Sequence, residues 1–242
     1  GGSVGGDTTL MTKITMTSQG NSIDYGDLTI ARRQGAGLSN SVRGVCSGGY
    51  NGDDTKFNTI DYFTIVNGGT AVDFGDLQTA VFGCMPASQA HGGLNDGYQG
   101  TRIAPIAYGV GVGQRGVFVA GGAPSTITYV DISTLGNAND FGIMAGGGNG
   151  TAFGGSTRFL GATGYSGGAS NVIEYSIYAS LGNGADFGDT TVTRWNFAGA
   201  ANETRGMLFG GEAPGISDVV DYVTIATIGN ATDFGNLSAA RH

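Results

Sequence analysis

Positive charge is scarce in this sequence: 11 Lys and Arg stand against 19 Asp and Glu in 242 residues, giving a formal net charge of -8. Neither Lys nor Arg clusters, so the footprint that a phosphate backbone requires is missing and nucleic acid is excluded as a partner. An anionic membrane surface would repel the chain for the same reason. Cysteine is equally sparse. Cys46 and Cys84 are too few for a disulfide framework at this length and are expected as buried free thiols. Histidine is limited to His91 and His242, which leaves imidazole metal sites and Ser-His-Asp triads poorly supplied. No apolar run approaches the ~18 residues of a membrane-spanning helix. Gly1-Gly2-Ser3-Val4 has neither the basic nor the apolar region of a signal peptide. Helical periodicity is absent too, because Gly interrupts almost every window of ten residues.

Glycine is what the chain has in quantity, 48 residues with no third-position period that would signal collagen. Much of it belongs to a repeat. Gly229-Asn230-Ala231-Thr232-Asp233-Phe234-Gly235 is closely matched at 182–188 and 136–142, and more loosely at 69–75 and 20–26. The motif aspartates Asp24, Asp73, Asp140, Asp186 and Asp233 are spaced by 49, 67, 46 and 47 residues. The unit is therefore about 47 residues, with one insertion of about 20 between the second and third copies.

Segment order within a unit is constant. An Arg-Gly strand with a Gly pair opens it, as at Arg43-Gly44 to Gly49, Arg115-Gly116 to Gly122 and Arg205-Gly206 to Gly211, with a degraded copy from Arg158. A β-branched and aromatic run follows: Ile60 to Ile65, Ile127 to Val130, Ile173 to Ile177 and Val220 to Ile225. These runs carry apolar groups on both faces, which predicts strands sandwiched between two sheets. The Gly-Asn pair then predicts a tight turn with positive φ, leading to one aromatic per repeat, Tyr25, Phe74, Phe141, Phe187 or Phe234, as a core layer. A closing segment through Arg32 or Arg194 reaches a polar corner at Ser39-Asn40 or Ala201-Asn202. Four short strands in each of five units predict an all-β propeller of about five repeats in one domain, 1–242, with a loop inserted at about 92–113. The chain starts at the Gly pair of one repeat and stops just before the next Arg-Gly strand. The expectation is an incomplete first unit, chain ends close together, and a processed fragment, an incomplete sequence or a first blade completed by something outside this chain.

The Gly pair, the aromatic strand and the closing Arg look like kelch repeats, which form β-propellers. The fuller wording, with Ile-Asp-Tyr, Thr-Ile, Gly-Asn-Ala, Asp-Phe-Gly-Asp-Leu and Arg-Gly-Val, more specifically resembles kelch-like repeats in virion structural proteins of tailed bacteriophages, cyanophages among them. The resemblance spans nearly the whole chain. It departs in lacking the blade tryptophan, since Trp195 is the only Trp. It implies a non-enzymatic virion component with no cofactor, in contact with other virion proteins or with a host-surface glycan or receptor, and located on the extracellular particle within a larger assembly. A secreted or surface lectin-like propeller is the alternative, and a propeller enzyme the third reading.

Chemical motifs add little. Asp140-Phe141-Gly142 spells a kinase tripeptide without nucleotide or catalytic loops, and Gly111, Gly113 and Gly116 spell a dinucleotide fingerprint that runs into a strand. The acid pairs Asp24/Asp27, Asp73/Asp76 and Asp186/Asp189 could ligate calcium, yet the fourth position becomes Ile143 or Asn236 elsewhere, so turn hydrogen bonding explains them better. Asn-x-Ser/Thr sequences at Asn149, Asn202, Asn230 and Asn236 do not establish secretion, two of them lying within the repeat motif. The recurring Arg43, Arg115, Arg158 and Arg205 are expected to tie strand ends to carboxylates of a neighbouring repeat. The insertion carries the candidate binding residues His91, Asn95, Asp96, Tyr98, Gln99 and Arg102, because insertions in a repeat array gather on one face and Tyr and Arg favour binding hot spots.

Overall fold

The computed structural model describes residues 6–15, 17–89, 114–121, 125–165, 167–212 and 214–242, and every regular element among them is a β-strand. A two-stranded antiparallel sheet comes first, β1 (Leu10–Lys13) and β2 (Ile23–Asp27). Four four-stranded antiparallel sheets follow in a propeller-like arrangement. Blade I is β3 (Ala36–Ser39), β4 (Arg43–Ser47), β5 (Thr59–Thr64) and β6 (Val72–Asp76), and blade II is β7 (Met85–Ser88), β8 (Arg115–Val119), β9 (Ser125–Asp131) and β10 (Asn139–Met144). Blade III is β11 (Thr151–Gly154), β12 (Arg158–Ala162), β13 (Ser170–Ile177) and β14 (Ala185–Arg194), and blade IV is β15 (Ala198–Ala201), β16 (Arg205–Phe209), β17 (Val219–Thr224) and β18 (Thr232–Asn236).

Strands pair antiparallel in chain order within each blade. The first strands β3, β7, β11 and β15 contact one another in sequence and line the inside of the array. Small residues such as Ala198-Gly199-Ala200-Ala201 let these inner strands approach closely. Asn40 and Asn202 turn the first strand into the second: the Asn40 Oδ1 accepts the Val42 and Arg43 N–H groups (2.8 and 2.7 Å), and Asn202 Oδ1 accepts those of Thr204 and Arg205 (2.9 and 2.8 Å).

About five repeat units are expected from the sequence, and four complete blades are present. The two-stranded sheet is part of a further unit, joined to blade I. Met11 pairs with Gly26 and Thr12 with Asp24, the register in which Ile60 pairs with Gly75 and Asp61 with Asp73 in blade I. The sheet β1–β2 thus corresponds to the outer half of a blade.

The apolar core is divided among the junctions between units. Tyr25, Met11, Leu28, Ala71, Cys46 and Phe63 fill the first junction, and Ile60, Phe74, Phe118 and Ile132 belong to the cluster at the second. Phe141 and Phe159 pack at the third, and Phe187, Leu208 and Val223 at the fourth. Strand β5 faces both ways, Ile60 into one cluster and Phe63 into another, which is the two-sided burial expected of the aromatic strand.

The Asp-aromatic-Gly motif is a β-bulge. The ladder slips at Ile60/Asp61, Asp140/Gly142, Ile173/Glu174 and Val220/Asp221, placing the aromatic in the extra position and aiming it at the next blade. In the copies at Asp24, Asp73 and Asp233 the motif aspartate holds the bulge by accepting the N–H of the glycine two residues on, Gly26 (3.0 Å), Gly75 (3.2 Å) and Gly235 (3.0 Å). That is the turn role expected of these acids. Phe74, Phe141 and Phe187 are buried as core residues, but Phe234 is 59 % exposed, because no further blade among the described residues covers β18.

Candidate functional site: the blade junctions and an aromatic cleft

The insertion residues His91, Asn95, Asp96, Tyr98, Gln99 and Arg102 fall in 90–113, outside the described residues. No group of three or more His, Cys, Asp or Glu side chains among the described residues is arranged to hold a metal ion. The recurring polar side chains gather instead where one unit meets the next.

Each junction repeats one backbone pattern. Gly136 N–H donates to Phe74 O (2.9 Å) and Ala138 N–H to Asp76 O (2.8 Å), while Asp76 N–H donates to Asn137 Oδ1 (3.0 Å). At the next junction the bonds run Gly182 to Phe141 (2.8 Å), Gly184 to Ile143 (2.7 Å) and Ile143 to Asn183 (3.2 Å). At the last they run Gly229 to Phe187 (2.9 Å), Ala231 to Asp189 (2.7 Å) and Asp189 to Asn230 (3.1 Å). The first junction keeps the two carbonyl bonds, Gly69 to Tyr25 (2.8 Å) and Ala71 to Asp27 (2.7 Å). The asparagine of the Gly-Asn pair is therefore held for its side-chain acceptor across the junction. Asn137, Asn183 and Asn230 do not adopt the positive φ that the turn reading assigned to them. The bulge glycine is required by closeness: a Cβ on Gly188 would stand 2.6 Å from the Gly229 carbonyl.

A buried charge clamp is added at two junctions. The Arg32 Nη2 contacts Asp61 Oδ2 (2.5 Å) in the following blade, and its Nη1 donates to Gly48 O (3.1 Å) and Thr59 O (3.0 Å). Thr29 Oγ1 donates to the other oxygen of Asp61 (2.5 Å). Arg194 repeats this with Asp221 (2.6 Å), Gly210 O and Val219 O (both 2.9 Å), and Thr191 Oγ1 completes the carboxylate (2.6 Å). All four charged side chains are at most 1 % exposed. Burial pushes the Arg194 pKa down, and Asp221 opposes that shift.

The clamp varies in a correlated way. The sixth residue after the bulge glycine is Arg32, Val81, Gly148, Arg194 or Arg241, and the position it faces in the next unit is Asp61, Thr128, Glu174 or Asp221. Arg meets Asp, and Val meets Thr. Where Gly148 replaces Arg, the Glu174 carboxylate is satisfied by the N–H groups of Ala145 (3.1 Å) and Gly146 (2.9 Å).

The other arginines behave differently from expectation. Arg43, Arg115, Arg158 and Arg205 lie over the Tyr62, Tyr129, Tyr175 and Tyr222 rings of their own blades, 4.5–4.9 Å from the centroids. Arg43 then donates to Ile132 O (3.1 Å) and Ser133 O (2.9 Å) of blade II, and Arg115 to Tyr178 O of blade III. Arg43 and Arg115 thus reach the neighbouring repeat, but their partners there are carbonyls rather than carboxylates, because the hairpin ends they meet present the main chain, whereas Arg158 Nη1 is buried without a hydrogen-bond partner among the described residues.

One face also carries an open cleft between blades III and IV. Tyr165 and Trp195 stack at 5.0 Å with an interplanar angle of 26°, beside Glu212, Thr193 and Pro214, around about 400 Å³ of open space. The Trp195 Nε1 is buried and without a hydrogen-bond partner among the described residues. In the sequence Trp195 stands out only as the single tryptophan. Its place one residue after the clamp position, shared with Arg33 after Arg32 and Phe82 after Val81, is the signal that could have located it on this face.

Cys46 and Cys84 are free thiols and partly buried. Burial raises both pKa values, that of Cys84 to about 12, while Arg32 partly offsets the rise at Cys46. Comparison of the chain with protein-family models and with curated proteins finds no match.

Proposed function

We propose that this protein is a non-enzymatic structural component of a tailed-phage particle, a kelch-like propeller of about five units that serves as a rigid connector or decoration and contacts other virion proteins or the host surface. The supporting observation is where the repeated polar chemistry goes. Arg32, Asp61, Arg194, Asp221, Asn137, Asn183 and Asn230 all bond across blade junctions instead of converging on a pocket. Rigidity and repetition suit a particle component, and the resemblance of the repeat wording points to the particle. The test is mass spectrometry of gradient-purified particles produced from the genome that encodes the chain. Recovery at fixed stoichiometry supports the reading, and absence from intact particles refutes it.

A lectin-like propeller is the second reading, favoured by the Tyr165–Trp195 stack beside Glu212, since an aromatic platform flanked by an acid suits a sugar ring. Glycan-array binding that is lost in Trp195→Ala would support it, and a blank array would remove it.

A further inference from the structure

We propose that the outer face of blade IV is a docking surface for one more blade of this repeat type, specifically one with an aspartate on its third strand at the position of Asp61 and Asp221. Three sets of groups that are engaged at the fourth junction stand free at the outer edge of blade IV. The Phe187 ring is 1 % exposed, whereas Phe234 is 59 % exposed. The Phe187 and Asp189 carbonyls accept N–H groups from the next blade, whereas Phe234 O and Asn236 O meet no such donor among the described residues. A Cβ on Gly188 would strike Gly229, whereas one on Gly235 would meet nothing within 4 Å.

The charge clamp identifies the occupant. Thr29-x-x-Arg32 and Thr191-x-x-Arg194 each enclose one aspartate of the following blade, and Ser238-x-x-Arg241 is the third copy of that pattern. Its main chain is already seated. Arg241 N–H donates to Ser217 O (3.1 Å) and Arg241 O accepts from Gly211 (2.8 Å), as Val81 bonds Phe57 (3.1 Å) and Gly49 (2.8 Å) in blade I. Among the described residues the Arg241 side chain reaches only Ala239 O, at 3.4 Å. A hydroxyl and a guanidinium are thus presented on a fixed backbone for a carboxylate.

The sheet β1–β2 is a poor occupant, although it offers Gly20-Asn21. Thr12 stands where the acid belongs, and in the repeat Thr128 follows Val81 rather than an arginine. A second copy offers no free acid either, because Asp61, Glu174 and Asp221 are engaged inside their own chain.

The test extends the full chain after His242 with a copy of residues 196–242, which continues the repeat in frame. Amide exchange at Asn236, the counterpart of Asp189, is expected to slow more than ~10-fold relative to the unextended protein. The slowing should be lost when the copied Asp221 is Asn, or when Arg241 is replaced in Arg241→Met. Exchange at Asp189 and Gly229 in the same samples shows that the original blades remain folded. The proposal is overturned if the added blade leaves Asn236 unprotected, or if the Asn-bearing copy protects it equally well. It is also overturned if the unextended protein already protects Asn236 and forms a disulfide between cysteines placed at Asn21 and Asn236.

Discussion

Replacing Arg194 by Met should be among the costliest single changes in this protein, and pairing it with a second change should recover most of the loss. The guanidinium and Asp221 are at most 1 % exposed, so removing the cation strands a carboxylate in a dry junction, with only Thr191 left to bond it. Breaking one side of a buried pair costs ~3–5 kcal/mol, and Asp221→Asn should fall in the same range from the opposite side. The double variant Arg194→Val with Asp221→Thr copies the pair that the protein already uses at Val81 and Thr128. It removes both charges together, leaving the Gly210 and Val219 carbonyls each short of one donor, at ~1 kcal/mol apiece. The double variant should therefore lose ~2 kcal/mol where simple addition would give ~6–10, a coupling of at least ~4 kcal/mol. Urea unfolding of the parent, the double variant and its two matching single variants, Arg194→Val and Asp221→Thr at ~3–5 kcal/mol each, followed by tryptophan fluorescence from Trp195 beside the junction, measures the cycle. Additive losses, or single variants within ~0.5 kcal/mol of the parent, would refute the clamp as a coupled buried pair.

Phe187→Ala should cost ~3–5 kcal/mol because it empties a packed junction, whereas Phe234→Ala should cost under ~1 kcal/mol, both read from denaturant midpoints. Gly188→Ala and Gly235→Ala share a positive φ near 140°, so each incurs ~1–3 kcal/mol of backbone strain. Only the former also collides with Gly229, so its melting temperature should fall further. Cys84 should resist a thiol reagent at pH 8 in the folded protein and react on unfolding. Because its folded pKa lies above the unfolded value, its contribution to stability is complete below pH 9 and fades as pH rises towards about 12, measurable as a falling midpoint in that window. Full reactivity of the native thiol at pH 8 would contradict its burial.

Much of the fold was legible because the repeat supplies its own alignment: the Arg-Gly strand, the Ile-Asp-Tyr strand and the Asp-aromatic-Gly strand each appear where their patterns place them. What escaped was the difference between a residue's type and its neighbour. Phe234 has the same sequence context as Phe187, and only the next blade decides whether either is buried. The asparagine of the Gly-Asn pair suggested turn chemistry, yet its amide oxygen serves a strand in another unit. The clamp was visible in principle as the matched change from Arg32 and Asp61 to Val81 and Thr128, but only once strand register had aligned positions about thirty residues and more apart. The insertion candidates lie outside the described residues and carry no outcome.

The same matched pairs give the blades an address. Blade II brought against the clamp side of blade III would set Thr128 before Arg194 and leave a guanidinium without its carboxylate. Blade IV brought against the Val81 edge would bury Asp221 with no cation. Either exchange incurs ~3–5 kcal/mol, a large share of the ~5–15 kcal/mol by which folded domains exceed their unfolded chains. Repeats similar enough to be confused by their strands are thus kept in one order by the residue that closes each unit, and domain-swapped or permuted assemblies are selected against at every junction where a charge must find its opposite.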